Sequence, residues 1–207
     1  MENKIDLIKK WLGPGSINIF GLPMSGKDTQ GIKLAEALDA KFLSSGMIIR
    51  AMEKETNQDL SSSGNLIPTN VFYDWVLPYF ERRDLFGKPL VLSSIGRWSG
   101  EENQVMSVAK GADHEIKAAI VLVISESDAK ERFSKAKIIG DRGDRADDQD
   151  PEVLETRLQE FREKTTPVLH HYETLDLLIR INGSQSREAV FNEILEKLYE
   201  KASRSLS

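Results

Sequence analysis

The residues of this chain best suited to chemistry lie in one short stretch, Gly21-Leu22-Pro23-Met24-Ser25-Gly26-Lys27. Glycines let a backbone turn tightly and present its N–H groups to an oxyanion. A lysine adds a mobile positive charge. The run Ile17 to Phe20 before them is apolar and reads as a buried strand, and Ile32, Ala35 and Leu38 after them recur at helical spacing. Strand, glycine-containing loop, lysine and helix form the context of a phosphate-binding loop. The helix would turn its positive end toward the same anion. Taken alone, the pattern also fits an ordinary strand–turn–helix. It departs from the usual form, which has Ser or Thr directly after the lysine, because Asp28 stands there and Thr29 follows. A second stretch, Gly140 to Asp150, is charged and Gly-punctuated, and apolar only at Ala146. It reads either as a solvated loop or as a mobile flap that carries arginines over bound phosphates.

Alternating strands and helices must position these groups. Asp6 to Leu12 reads as a short amphipathic helix ended by Gly13-Pro14-Gly15. Phe42-Leu43 is a very short strand, and Ser44 or Ser45 caps the helix that follows. Thr69 to Arg83 has helical spacing with a bend expected at Pro78. Pro89 to Ser93, Ala118 to Ile124 and Leu177 to Ile181 read as further strands. Helices are expected at Asn103 to Ala109, Ser127 to Lys135, Pro151 to Tyr172 with an interruption at Pro167, and a terminal segment capped by Ser186. Continuous apolar strands without alternation imply a parallel sheet covered on both faces. Ligands in such sheets sit beyond the carboxyl ends of the strands.

Composition narrows the function classes. The chain has 207 residues and a formal net charge of -5, which argues against nonspecific binding to a nucleic-acid polymer. It has no cysteine, so neither a disulfide framework nor a cysteine-based zinc site is available. No run is long enough to span a bilayer and no signal-type apolar segment opens the chain, so a cytoplasmic protein is expected. The three histidines, His114, His170 and His171, read as surface or helix-end residues.

From Ile17 to the terminal helix, the chain resembles the nucleoside monophosphate kinases, and adenylate kinases most closely. The family's loop Gly-x-Pro-Gly-x-Gly-Lys-Gly-Thr-Gln is similar to Gly21 to Gln30, with Met24 and Asp28 in place of two glycines. Its Ser-Thr-Gly-Asp-x-x-Arg resembles Ser44 to Arg50, and its Gly-x-Leu-Val-Pro resembles Gly64-Asn65-Leu66-Ile67-Pro68. Its Asp-Gly-Phe-Pro-Arg corresponds to Ser93-Ser94-Ile95-Gly96-Arg97, where only the arginine is kept. Arg132, the run Arg145-Ala146-Asp147-Asp148, Arg157-Leu158 and Thr165-Thr166-Pro167 with Tyr172 also match family positions.

The resemblance implies a P-loop kinase fold of the α/β class. A parallel sheet of about five strands would carry helices on both faces, within one domain spanning 1–207. A monophosphate-binding helical insert is expected over 44–83 and a short lid over 136–146. The implied activity is reversible transfer of the terminal phosphoryl group of ATP to AMP, with Mg2+ bridging the donor phosphates. The implied alternatives are a kinase for UMP or CMP, or a catalytically weak nucleotide-binding sensor. A monomer without membrane or nucleic-acid partners is expected.

The resemblance also assigns residues. Met24, Ser25, Gly26, Lys27, Asp28 and Thr29 would hold the donor phosphates, with Arg132 and Gln185 toward the donor nucleotide. Ser45, Gly46, Arg50, Asn65, Leu66, Ile67, Arg97, Arg145 and Arg157 would hold the acceptor, whose base would be read by Glu101 or Gln104. Lys27, Arg97, Arg132, Arg142, Arg145 and Arg157 would neutralise the transferring group. The family's acid at the end of the third strand is Ser93 here, so Asp28 is the candidate to replace it beside the metal.

Overall fold

Five short strands, β1 (Ser16–Gly21), β2 (Lys41–Ser44), β3 (Leu90–Ser93), β4 (Ile116–Val123) and β5 (Leu178–Asn182), build one sheet in the order β2-β3-β1-β4-β5. Every neighbouring pair is parallel, as the unbroken apolar runs require of a sheet covered on both faces. The computed structural model describes residues 2–139 and 150–206. The charged run with Arg142 and Arg145, and most of the expected lid, lie outside the described residues.

Nine α-helices connect and cover the strands among the described residues. On one face lie α1 (Glu2–Leu12), α2 (Lys27–Leu38) and α9 (Arg187–Leu206). They enclose Ile8, Leu12, Leu34, Leu38, Ile194 and Leu198 against Ile17 and Ile19 of β1. On the other face, α3 (Ser45–Thr56), α4 (Thr69–Val76), α5 (Glu101–Gly111) and α8 (Thr166–Thr174) pack Ile48, Phe72, Val105 and Tyr172 against Phe20, Leu90 and Leu92. A smaller cluster of Leu22, Ile124, Ala129, Phe133, Leu154 and Leu158 joins α6 (Glu126–Ile139) to α7 (Pro151–Glu160).

Local chemistry explains where the elements stop. Pro78 sits at the start of a 3-10 turn, Leu77–Glu81, which ends α4; a proline lacks the N–H that α-helical pairing needs. The expected helix from Pro151 to Tyr172 is in fact three pieces, because a π-helical turn over Phe161–Thr165 lies between α7 and α8. Pro167 cannot donate to the carbonyl four residues back, and the wider turn ahead of it accommodates that loss. Ser186 caps α9, its Oγ accepting from the N–H of Ala189 at 3.2 Å. Ser44 does stand at the N-cap of α3, but its side chain makes no capping bond.

Two expectations fail. Ile32 is 46% exposed, since α2 turns Gln30, Gly31, Leu34, Ala35 and Leu38 inward instead. His114 is buried, not superficial; its Nδ1 donates to the Pro14 carbonyl at 3.0 Å, where α5 hands over to β4.

The carboxyl ends of β2 and β3 finish level, and β1 runs two residues further, to Gly21. Ile19 of β1 pairs with Ser93 of β3, and Ser93 pairs with Ser44 of β2. The loops that follow therefore emerge along one edge of the sheet. Asn18 fixes one of them. It is the polar residue inside a wholly buried strand, and its Nδ2 donates to the Ile95 carbonyl at 2.7 Å while its Oδ1 accepts from the Ile95 N–H at 3.3 Å. This clamp sets the path of Ser94 to Arg97. Two non-glycine residues in these loops hold left-handed backbone, Met24 at φ 66° and Ser94 at φ 54°. Both stand where the resembling family has glycine. Each such conformation costs on the order of 1–3 kcal/mol, about what one fully buried leucine contributes, so the packed sheet can carry both.

Asn18→Ala is expected to lower unfolding stability by about 2–4 kcal/mol, because it leaves two buried peptide groups unpaired. Chemical denaturation measures the loss. Ser94→Gly is expected to raise stability by about 1 kcal/mol through relief of the left-handed strain. A glycine at an ordinary position has the opposite sign, so a destabilised Ser94→Gly protein would contradict the assigned backbone conformation.

Candidate active site

The turn after β1 is built by close approach and by backbone handedness. A Cβ on Gly21 would lie 2.5 Å from the Ser25 Oγ and 3.1 Å from the Leu122 carbonyl, so only glycine fits there. Gly26 caps α2 at φ 89°, a conformation that favours glycine. The first N–H groups of α2 have no partner within the helix, and Gly26, Lys27, Asp28 and Thr29 open on a cleft at the carboxyl edge of the sheet. Backbone amides, helix dipole and lysine thus point at one volume.

Three arginines from separate elements line the same cleft: Arg50 of α3, Arg97 after β3 and Arg157 of α7. Arg50 folds back over Gly46, where a Cβ would come 3.0 Å from its Nη1. The segment with Gly64 and Leu66 is pinned against α7. A Cβ on Gly64 would meet the Val153 carbonyl at 2.8 Å, and the Leu66 N–H donates to the Glu160 Oε2 at 3.1 Å. Lys164 donates to the other Glu160 oxygen at 2.8 Å and sits 3.9 Å from the Trp98 ring centroid. Burial of the Arg97 guanidinium, followed by the nearby charge of Arg157, lowers its pKa to about 10, against the opposing pull of Glu160, Glu101 and Asp28. It therefore remains a cation at neutral pH, held at some electrostatic expense.

Two carboxylates share the wall with these cations, Asp28 and Glu101. The Ser93 hydroxyl donates to Asp28 Oδ1 at 2.5 Å. The two positions at which the sequence departs from the family's acid and glycine are thus in direct contact. Glu101 is buried, its Oε2 accepting from the N–H groups of Arg97 and Trp98 at 3.1 and 3.0 Å and its Oε1 from the Thr69 hydroxyl at 2.9 Å. Desolvation pushes its carboxyl above the usual glutamate range, opposed by these hydrogen bonds.

The structure gathers most of the residues that the sequence singled out. Met24 joins the loop residues on the cleft wall, as do Ser45, Gly46, Asn65, Leu66 and Ile67 from the second and third segments. Ser25 is buried behind the loop, and its hydroxyl is without a partner among the described residues. Arg132 lies off the wall. Its guanidinium donates to the carbonyls of Met24 at 3.3 Å and Gly183 at 2.8 Å, so it braces the loop against the β5–α9 turn. Gln185 is exposed and bonds to Glu193 and the Asn182 carbonyl. Gln104 is exposed on α5, whereas Glu101, one turn earlier, reaches the cleft. Tyr172 belongs to the core beside Phe20, with ring centroids 5.8 Å apart. Arg142 and Arg145 lie outside the described residues.

The sequence reading missed Asn18, Thr69, Phe72 and Glu160. Asn18 had a visible signal, a lone amide in the strand Ser16–Gly21. The other three gain their place only through contacts between distant segments.

No protein-family model matches the chain. Curated relatives are adenylate kinases. That of Azobacteroides pseudotrichonymphae genomovar. CFP2 is 30% identical over 193 residues, covering 88% of this chain and 96% of its own. That of Bartonella bacilliformis is 29% identical over 175 residues, with 81% and 91% covered. Adenylate kinase 2 of Schistosoma mansoni is 26% identical over 207 residues, with 86% of each chain covered. Among solved structures, a gluconokinase from Sinorhizobium meliloti 1021 superposes with a TM-score of 0.62 over 93% of this chain and 96% of that one, at 19% identity, which speaks to fold. With the relatives aligned across nearly the whole length, this chain belongs to the adenylate kinase family.

Proposed function

We propose that the protein is a nucleoside monophosphate kinase that reversibly transfers the terminal phosphoryl group of ATP to AMP. The observation that carries this reading is the convergence of Lys27, Arg50, Arg97 and Arg157 on one cleft at the amino end of α2. Phosphoryl transfer between two nucleotides needs positioning and charge neutralisation far more than covalent chemistry. In this reading the amides of Met24 to Thr29, with Lys27, hold the donor phosphates. Arg50 and Arg97 hold the acceptor phosphate, whose ionised oxygen is already a nucleophile. Arg157 neutralises charge on the group in flight. The segments 44–83 and 136–146 serve as acceptor insert and short lid.

The family implies Mg2+, and the donor set fits it. Magnesium takes oxygen ligands, keeps several waters and is held by one or two carboxylates together with substrate phosphates. Asp28 supplies a carboxylate next to Lys27, oriented by the Ser93 hydroxyl. No group of three or more His, Cys, Asp or Glu that could hold a metal occurs among the described residues. When bound, the Mg2+ ion would offset the negative charge of the donor phosphates. Asp28 then replaces the acid that Ser93 displaced.

The same departures favour a second reading, a nucleotide-binding protein with weak turnover. A carboxylate inside the phosphate loop repels the substrate unless a cation intervenes.

A coupled assay with ATP against AMP, CMP, UMP and GMP separates the two. Turnover at rates typical of enzymes, falling about 10²–10³-fold in Lys27→Met, is expected; a protein that binds ATP but turns over none of the four is a sensor. Asp28→Gly is expected to tighten ATP binding without metal and to raise the Mg2+ concentration needed for half-maximal enhancement about tenfold. Calorimetric titration of ATP with and without Mg2+ reads both. An unchanged Mg2+ response removes Asp28 from the metal site.

A further inference from the structure

A lysine that does not line the cleft controls a carboxylate beside it. Glu160 on α7 is buried, and both of its oxygens are engaged. Oε2 accepts from the Leu66 N–H at 3.1 Å, and Oε1 accepts from the Lys164 ammonium at 2.8 Å. Lys164, four residues on in the π-helical turn, also stands 3.9 Å from the centroid of the Trp98 ring. One ammonium thus bridges the carboxylate to the residue next to Arg97. Arg97 feels Glu160 as a through-space charge, with no hydrogen bond between the two side chains. A guanidinium and a buried carboxylate in one neighbourhood ordinarily close into a two-bond fork. Lys164 supplies the reason that these two do not. It takes the Glu160 oxygen that the fork would need, while the backbone N–H of Leu66 holds the other.

We infer that Lys164 is a positioning residue for the acceptor phosphate: it holds the Glu160 carboxylate off the Arg97 guanidinium and so leaves that guanidinium open to substrate. The inference rests on the kinase reading above, in which Arg97 grips the acceptor phosphate, and adds a residue that touches no substrate. An arginine forked onto a carboxylate has committed the donors that a phosphate needs. Held at a distance, Glu160 does the opposite service. Its negative charge opposes that of Arg157 and helps to keep Arg97 a cation. Lysine suits the task because its ammonium is one compact charge on a flexible stem, able to serve the carboxylate and the ring face together. Without Lys164, Glu160 would be a buried carboxylate with one oxygen unpaired, a state that favours capture of a neighbouring guanidinium.

Calorimetric binding of AMP, CMP, GMP and UMP without ATP tests the inference on whichever monophosphate the wild-type protein binds most tightly. Lys164→Met, which keeps the length of the side chain and drops its charge, is expected to weaken that monophosphate at least about tenfold, the range of one hydrogen bond to a charged group. ATP binding, measured separately, is expected to stay within about threefold. Lys164→Arg keeps the charge and the contact with the ring, and is expected to bind the monophosphate within about threefold of wild type. The double variant Lys164→Met/Glu160→Gln is expected to recover most of the loss, because the amide oxygen still accepts from Leu66 and no anion remains to capture Arg97. A merely structural role for Lys164 gives the reverse, a double variant at least as weak as the single one, and that outcome overturns the inference. A Lys164→Met protein that binds the monophosphate as wild type does, or that loses ATP affinity equally, also overturns it. Should Lys164→Met fail to fold, Lys164→Arg and the double variant decide, since neither leaves a buried charge unpaired; a loss of about tenfold in either counts against the inference. A wild-type protein that binds none of the four monophosphates sinks the kinase reading and this inference together, whereas each of the other failures leaves that reading standing.

Discussion

Four cations held at one cleft are the constraint on which the rest of the structure depends. Lys27, Arg50, Arg97 and Arg157 carry like charge, and Arg97, its pKa depressed to about 10, registers its burial first and the charge of Arg157 second. Such an arrangement persists only where the scaffold is stiff enough to hold the side chains in place. The parallel sheet provides that stiffness. Its central strands β1, β3 and β4 are buried on both faces, and β2 and β3 end level with β1 two residues beyond, so the residues that follow are fixed to a common edge.

The local devices at that edge act in the same direction. Asn18 ties the segment after β3 to β1, Arg132 ties the phosphate loop to the turn after β5, and Glu160 ties the Gly64–Leu66 segment to α7. Met24 and Ser94 carry left-handed backbone within the loops so restrained. Strain of this kind survives where surrounding contacts over-determine the conformation, and it gathers at sites that must be shaped in advance of their ligand. Asp28 and Ser93 extend the point. Read singly, each looks like the loss of a needed group; across a 2.5 Å hydrogen bond they place a carboxylate and a hydroxyl together.

Much of this was legible in the residues alone. Apolar runs marked the strands because strands covered on both faces leave no room for alternation, and Gly21 and Gly26 marked the loop because nothing larger fits or adopts its backbone. Periodicity failed at Ile32 because in α2 a small-residue stripe through Gly31 and Ala35 faces inward, with Phe42 against Gly31. It failed at His114 because a local pattern does not reveal that a loop will close over a ring. Glu101 and Gln104 lie one turn apart near the start of one helix, and the direction of each side chain puts Glu101 on the cleft and leaves Gln104 exposed. Strand order and the docking of Gly64 and Leu66 on α7 depend on long-range contacts that no window of sequence contains.

The π-helical turn at Phe161–Thr165 deserves to be read as a phase shifter. A straight α-helix advances each side chain by about 100°, so a single turn with one extra residue rotates everything beyond it relative to everything before. Ahead of the turn, Leu154 and Leu158 serve the small cluster beneath the phosphate loop, with Arg157 on the cleft. Beyond it, Val168, Leu169 and Tyr172 serve the main core under the sheet. One nearly continuous rod can therefore address two surfaces that differ in azimuth. Removing one residue from the turn would leave a better helix whose two halves no longer face their own partners.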